Sequence, residues 1–214
     1  MSFSTREEHV LQVHRLLDSL YGDNIGFLEA HTLGAYQLLI AVILSAQTTD
    51  RQVNVITPAL FEKYPTPADL AKAKQVEVEH IIRSTGFYHA KARNIIGAGK
   101  VLAESFNNTV PQTMKELISL PGVGRKTAGV ILGSIFGKPA IIVDTHFKRV
   151  VKRIGLTRQT DPVKVENDIA AILAAEYHYR FSMTVNTHGR EYCNARRPAC
   201  DRCPIAELCL KVGV

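Results

Sequence analysis

The chain has 214 residues, 46% of them apolar, so it is long enough to bury a substantial core and too apolar to be a disordered chain. Lys and Arg number 26 against 20 Asp and Glu, and the formal charge of +6 suits a polyanionic partner without identifying one. No apolar run approaches the roughly 20 residues that span a bilayer. The longest candidate is Leu38 to Leu44, and MSFSTREEHV lacks a basic region followed by an apolar stretch. The expectation is a soluble intracellular protein with no membrane association, cytoplasmic or at the nucleoid if bacterial.

Along the chain, helical periodicity dominates. Val10, Val13, Leu16, Leu17 and Leu20 share one helical face, and Ile95, Ile96, Gly99, Val101 and Leu102 approximate another. Breakers at 22–26, 65–67, 86, 107–111, 121–124, 137–139 and 155–162 lead to an expectation of about ten helices. Ala140 to Val143 is the one strand-like run, and four residues without a pairing partner predict a buried connector instead of a sheet. The expected fold class is all-α. No repeat, low-complexity stretch or flexible linker marks off independent domains, and no heptad stands out, so a monomer is expected.

Leu120-Pro121-Gly122-Val123-Gly124-Arg125-Lys126-Thr127-Ala128 lies between an apolar helix, Met114 to Leu120, and a second, Arg125 to Phe136. That arrangement predicts a hairpin of helices closed by Gly122, Val123 and Gly124. The glycines let the backbone approach a ligand with no Cβ in the way, and the N–H groups opening the second helix point toward an anion such as a DNA phosphate. A nucleotide-binding P-loop is excluded, because Arg125 separates Gly124 from Lys126 and no parallel strand precedes the loop. A tight turn with no ligand explains the two glycines but not the whole nonapeptide.

This segment, followed by Val143-Asp144-Thr145-His146, resembles the helix-hairpin-helix and catalytic loop of the endonuclease III family. The resemblance runs along nearly the whole chain and includes Leu44-Ser45-Ala46-Gln47-Thr48-Thr49-Asp50 and Gly86-Phe87-Tyr88. It implies a bifunctional DNA glycosylase and AP lyase that removes oxidised pyrimidines from damaged double-stranded DNA, with Lys126 as nucleophile and Asp144 as catalytic carboxylate. It also implies two helical lobes flanking a DNA-binding cleft. Residues 28–138 would form a six-helix barrel with the hairpin, and 1–27 plus 139–214 a discontinuous lobe. The chemistry suits the pair: base displacement passes through a cationic sugar, which a carboxylate stabilises and an amine traps. The amine must first lose its proton, and a helix N-terminus among other cations favours that. Taken singly, Lys126 also reads as a solvated lysine and Asp144 as a helix N-cap.

Cys193, Cys200, Cys203 and Cys209 are the only cysteines, spaced C-x6-C-x2-C-x5-C. An intracellular chain of this size has little need of disulfides, so the clustering points to a metal centre. Zinc more often pairs two C-x-x-C elements, and only Cys200 and Cys203 form one. The spacing resembles the [4Fe-4S] loop of the same family, and the cluster is the favoured occupant. Its expected role is structural, since so short a loop buries little apolar surface of its own. Arg196, Arg197 and Arg202 between the ligands either offset the thiolate charge or contact phosphates.

A glycosylase must take its nucleotide out of the stack, and something must fill the gap. By family position Gln47 would face the orphaned opposite base and Phe87 would wedge into the stack. Phe87 stands where that family has leucine, a departure that bears on lesion and opposite-base preference. His146 either contacts a phosphate or supports the Asp144 loop. Lys148, Arg149, Lys152 and Arg153 recur on one side of a helix and read as a track for the DNA backbone or as a solvated face. Two other functions fit part of the pattern: a monofunctional mismatch glycosylase, which would lack Lys126, and a non-enzymatic DNA-binding iron-sulfur protein.

Overall fold

The computed structural model describes residues 5–22 and 34–214. The helices are α1 Arg6–Tyr21, α2 Ala35–Leu44, α3 Asp50–Lys63, α4 Pro67–Ala71, α5 Gln75–Ile82, α6 Tyr88–Ser105, α7 Met114–Ile118, α8 Arg125–Phe136, α9 Thr145–Ile154, α10 Pro162–Ala170 and α11 His178–Glu191. Single 3₁₀ turns occupy Ala175–Tyr177, Cys200–Arg202 and Ala206–Leu208. The all-α class holds: no strand occurs among the described residues. Segment 140–143 is the expected connector, with Ala140, Ile141 and Ile142 buried and the Ile142 N–H donating to Ser182 Oγ at 2.9 Å. Breaks at 45–49, 72–74 and 171–174 carry neither Gly nor Pro, which is why breaker residues alone undercount the helices. At the first of these the restart is chemical: Thr49 caps α3 by accepting from the Gln52 N–H.

The described residues divide into two compact units, one of 5–22 with 137–214 and the other of 34–136. In the second, α2 is apolar on every side and buried without interruption from Leu38 to Leu44, which makes it a core helix. Val53, Ile56 and Leu60 of α3, Ile95 and Leu102 of α6 and Ile131 of α8 complete that core, each fully buried side chain contributing roughly 1.5–3 kcal/mol. Gly99 lets α4 lie directly on α6, because a Cβ there would meet the Pro67 carbonyl at 3.0 Å.

In the first unit, Val10, Val13 and Leu17 of α1 join Phe147, Val150 and Ile154 of α9 and Phe181 and Val185 of α11 in one core. Phe147 and Phe181 meet edge to face at 5.9 Å. The face expected for α1 is displaced at its end: Leu20 is 48% exposed, while His9 and His14 are buried. His9 is accommodated by a 2.6 Å hydrogen bond between Nε2 and the Leu208 carbonyl.

Candidate functional site

The hairpin forms where the glycines predict it. α7 stops at Ile118, the Val123 N–H turns back to the Leu120 carbonyl at 3.1 Å, and the Ala128 N–H reaches Gly124 at 2.9 Å as α8 begins. Gly122 has φ 78°, and a Cβ there would lie 2.8 Å from Asn94 Cβ, so both conformation and close approach to α6 require glycine. Gly124 differs: nothing lies within 4 Å of an added Cβ, which leaves its backbone open to a ligand. Val123 is buried at 7% and contributes to the loop through its main chain. Lys126, in the first turn of α8, is exposed.

Asp144 belongs to the other unit and caps α9. Its Oδ1 accepts from the Phe147 N–H at 2.8 Å, and its Oδ2 accepts a short hydrogen bond from the Asn186 side-chain amide. The carboxylate is therefore held at both oxygens and its plane is fixed. Asn186, on α11, escapes sequence reasoning because its partner is 42 positions away. His146 is half-buried, with Nδ1 3.2 Å from Arg149 Nη2 and Cβ against Gly189. These contacts give it a supporting position beside Asp144.

The basic face of α9 does something neither expected reading anticipates. Arg149 donates to the carbonyls of Cys193 at 2.9 Å and Gly189 at 2.8 Å, and Arg153 donates to those of Asn194 at 2.7 Å and Ala195 at 2.8 Å and to Cys193 Sγ at 3.4 Å. Both guanidinium groups are turned onto the cysteine loop, where their planar forks hold main-chain carbonyls. Lys148 reaches the Thr160 carbonyl at 3.2 Å, and Lys152 is exposed.

Cys193, Cys200, Cys203 and Cys209 line one pocket together with Ile154, His188 and Tyr192. Among the described residues no three His, Cys, Asp or Glu side chains converge tightly enough to grip a single ion. Burial pushes the Cys203 and Cys209 thiols up, and the neighbouring sulfurs push them further. Four thiolates lining one pocket need cationic metal to balance their charge, so the donor set fits an iron-sulfur cluster. Polar groups approach the sulfurs: His188 Nε2 is 3.5 Å from Cys203 Sγ, and the Lys211 N–H donates to Cys209 Sγ at 3.4 Å. Arg196, Arg197 and Arg202 are exposed.

Within the unit of 34–136 the two expected insertion residues lie on adjoining loops. Gln47 and Phe87 both have left-handed backbones, φ 54° and φ 57°, and both are exposed, Phe87 at 69%. A Cβ on Gly86 would sit 3.5 Å from the Gln47 carbonyl, so the loops abut.

The family model described as HhH-GPD superfamily base excision DNA repair protein matches residues 40–175, and that of the iron-sulfur binding domain of endonuclease III matches 193–209. Endonuclease III of Synechocystis sp. is 44% identical over 207 residues, covering 96% of this chain and 94% of its own. Two solved structures, a non-covalent endonuclease III–DNA complex and a trapped endonuclease III–DNA covalent intermediate described as an estranged-adenine complex, each match at 39% identity with a TM-score of 0.87. In both, 99% of this chain and 97% of the other are covered. At this identity over nearly its whole length, the chain belongs to the endonuclease III family and is a base excision repair DNA glycosylase with AP lyase activity and a [4Fe-4S] cluster.

Proposed function

We propose that the protein excises oxidised pyrimidines from damaged duplex DNA, with Lys126 as the amine nucleophile and Asp144 as its carboxylate partner. The observation that carries this reading is a lysine opening α8 in a chain 39% identical to an endonuclease III trapped covalently on DNA. The neutral Lys126 amine attacks C1′, the glycosidic bond breaks, and the base departs with its electron pair and takes up a proton. The C1′–O4′ bond then breaks, O4′ takes up a proton from solvent, and the nitrogen lone pair closes the opened sugar into a protonated Schiff base on Lys126. Removal of a C2′ proton then expels the 3′ phosphate by β-elimination, and hydrolysis frees the lysine. Asp144, fixed by Phe147 and Asn186, stabilises the cationic sugar. A monofunctional enzyme would activate water and leave the strand intact.

The hairpin backbone at Gly122, Val123 and Gly124 takes a phosphate, Gln47 faces the orphaned base, Phe87 fills the gap, and His146 supports the Asp144 loop. The four cysteines hold the cluster, which when bound supplies folding energy to a loop with little core of its own. Residues 28–138 act as the hairpin lobe and 1–27 with 139–214 as the cluster lobe, the boundary near 27 lying outside the described residues. The protein works as a monomer inside the cell, at the nucleoid in a bacterium. No helix among the described residues is long and apolar enough to cross a membrane.

Borohydride trapping on a duplex containing one thymine glycol tests the reading. Wild type is expected to give a covalent adduct and Lys126→Gln none while still binding DNA. An adduct in the variant, or none in the wild type, would overturn amine catalysis by Lys126.

A further inference from the structure

A non-glycine residue in the left-handed region is strained and persists only where its surroundings over-determine it. Gln47 and Phe87 are two such residues on abutting loops, so something must hold both. One residue meets both loops, the second through its main chain and the first through its side chain. The Lys91 N–H donates to the Phe87 carbonyl at 3.0 Å, closing the first turn of α6, while its Nζ donates to Thr48 Oγ1 at 2.6 Å. Lys91 is only 5% exposed. A second tie, Gln52 Nε2 to Ser84 Oγ at 2.6 Å, joins the first turn of α3, which follows the Gln47 loop, to the Phe87 loop on its exposed side.

Lysine is a costly choice for this place. Burial lowers the pKa of Lys91 below its ordinary value. Methionine would fill similar space without burying an ammonium group. The difference lysine makes is its bond to Thr48, the residue directly after Gln47.

We propose that Lys91 is a positioning residue that sets Gln47 and Phe87 at the spacing needed for insertion into the duplex. The proposal rests on the insertion roles given to those two side chains above.

The test uses the cluster-loaded protein and a duplex carrying thymine glycol with 2-aminopurine beside it, whose fluorescence rises as the stack opens. Lys91→Met and Thr48→Val are each expected to lower single-turnover base release about tenfold and to suppress the fluorescence rise. The double variant should be no worse than either single, as for two ends of one contact. Strand cleavage at a pre-formed abasic site, which has no base to extrude, should fall less. Equal loss on both substrates, or loss only alongside a lowered melting temperature, would make Lys91 merely structural and overturn the proposal. Thr48→Val carries the same test if Lys91→Met does not fold. Gln47→Ala and Phe87→Ala separate the two levels. If they slow release and Lys91→Met and Thr48→Val do not, the positioning role fails alone; if all four leave it unchanged, the insertion reading fails with it.

Discussion

Asn caps a helix as well as Asp does, and this separates the two tasks of Asp144. Asp144→Asn should keep α9 capped and leave thermal stability within about 1 kcal/mol of wild type, while single-turnover excision falls about a hundredfold for want of the charge. Asp144→Ala should lose about 1 kcal/mol as well, measured by denaturant unfolding. His14 offers a prediction about pH. Its Nδ1 is buried with no partner among the described residues. Burial, helped by Arg180 and Arg15 and opposed by Asp18, holds its pKa below 6.5. The unfolded chain therefore takes up the proton first, and the stability that neutral His14 contributes is present above about pH 6.5 and lost as pH falls toward the depressed value. His14→Leu should show a shallower drop in melting temperature between about pH 7 and 5 than wild type. At this scale Lys126 and Asp144 were legible because each lies in a contiguous motif. Asn186 and Lys91 were not, because their partners are 42 and 43 positions away and a sequence records no distance between helices.

The two hairpin glycines make opposite predictions. Gly122→Ala must adopt a left-handed backbone and press on Asn94, and should cost about 2 kcal/mol. Gly124→Ala meets nothing, so stability should change by less than about 1 kcal/mol. Its methyl group would instead stand where the phosphate comes, raising the Kd for duplex DNA and flattening its salt dependence by about one phosphate contact. Unchanged affinity would remove Gly124 from the interface. For α9, Arg153→Lys keeps the charge but loses the fork that holds Asn194 and Ala195. It should bleach faster than wild type under chelator, followed by visible absorbance. The bounds of α8 were readable from Pro121, Gly124 and Gly137. The direction of the α9 basic stripe was not, since charge periodicity says which side of a helix is polar and not whether that side meets solvent or a loop.

For the whole molecule, the all-α class was legible because breakers and periodicity agree nearly everywhere, and the breaks it hid at 72–74 and 171–174 contain only Lys, Ala, Ile and Leu. Cluster removal should act unevenly. Hydrogen exchange should accelerate in 137–214, where Arg149 and Arg153 tie α9 to the cysteine loop, while the core around α2 keeps its protection. Uniform acceleration would mean that both units unfold as one. The order in which these pieces leave the ribosome follows from the same division. Helix α1 is made early, yet the Phe147 and Phe181 side chains that share its core arrive more than a hundred residues later. At cellular synthesis rates that is a wait on the order of ten seconds. During that time α2 to α8 are complete and α1 has no core to join, so nascent α1 is the segment most in need of shielding.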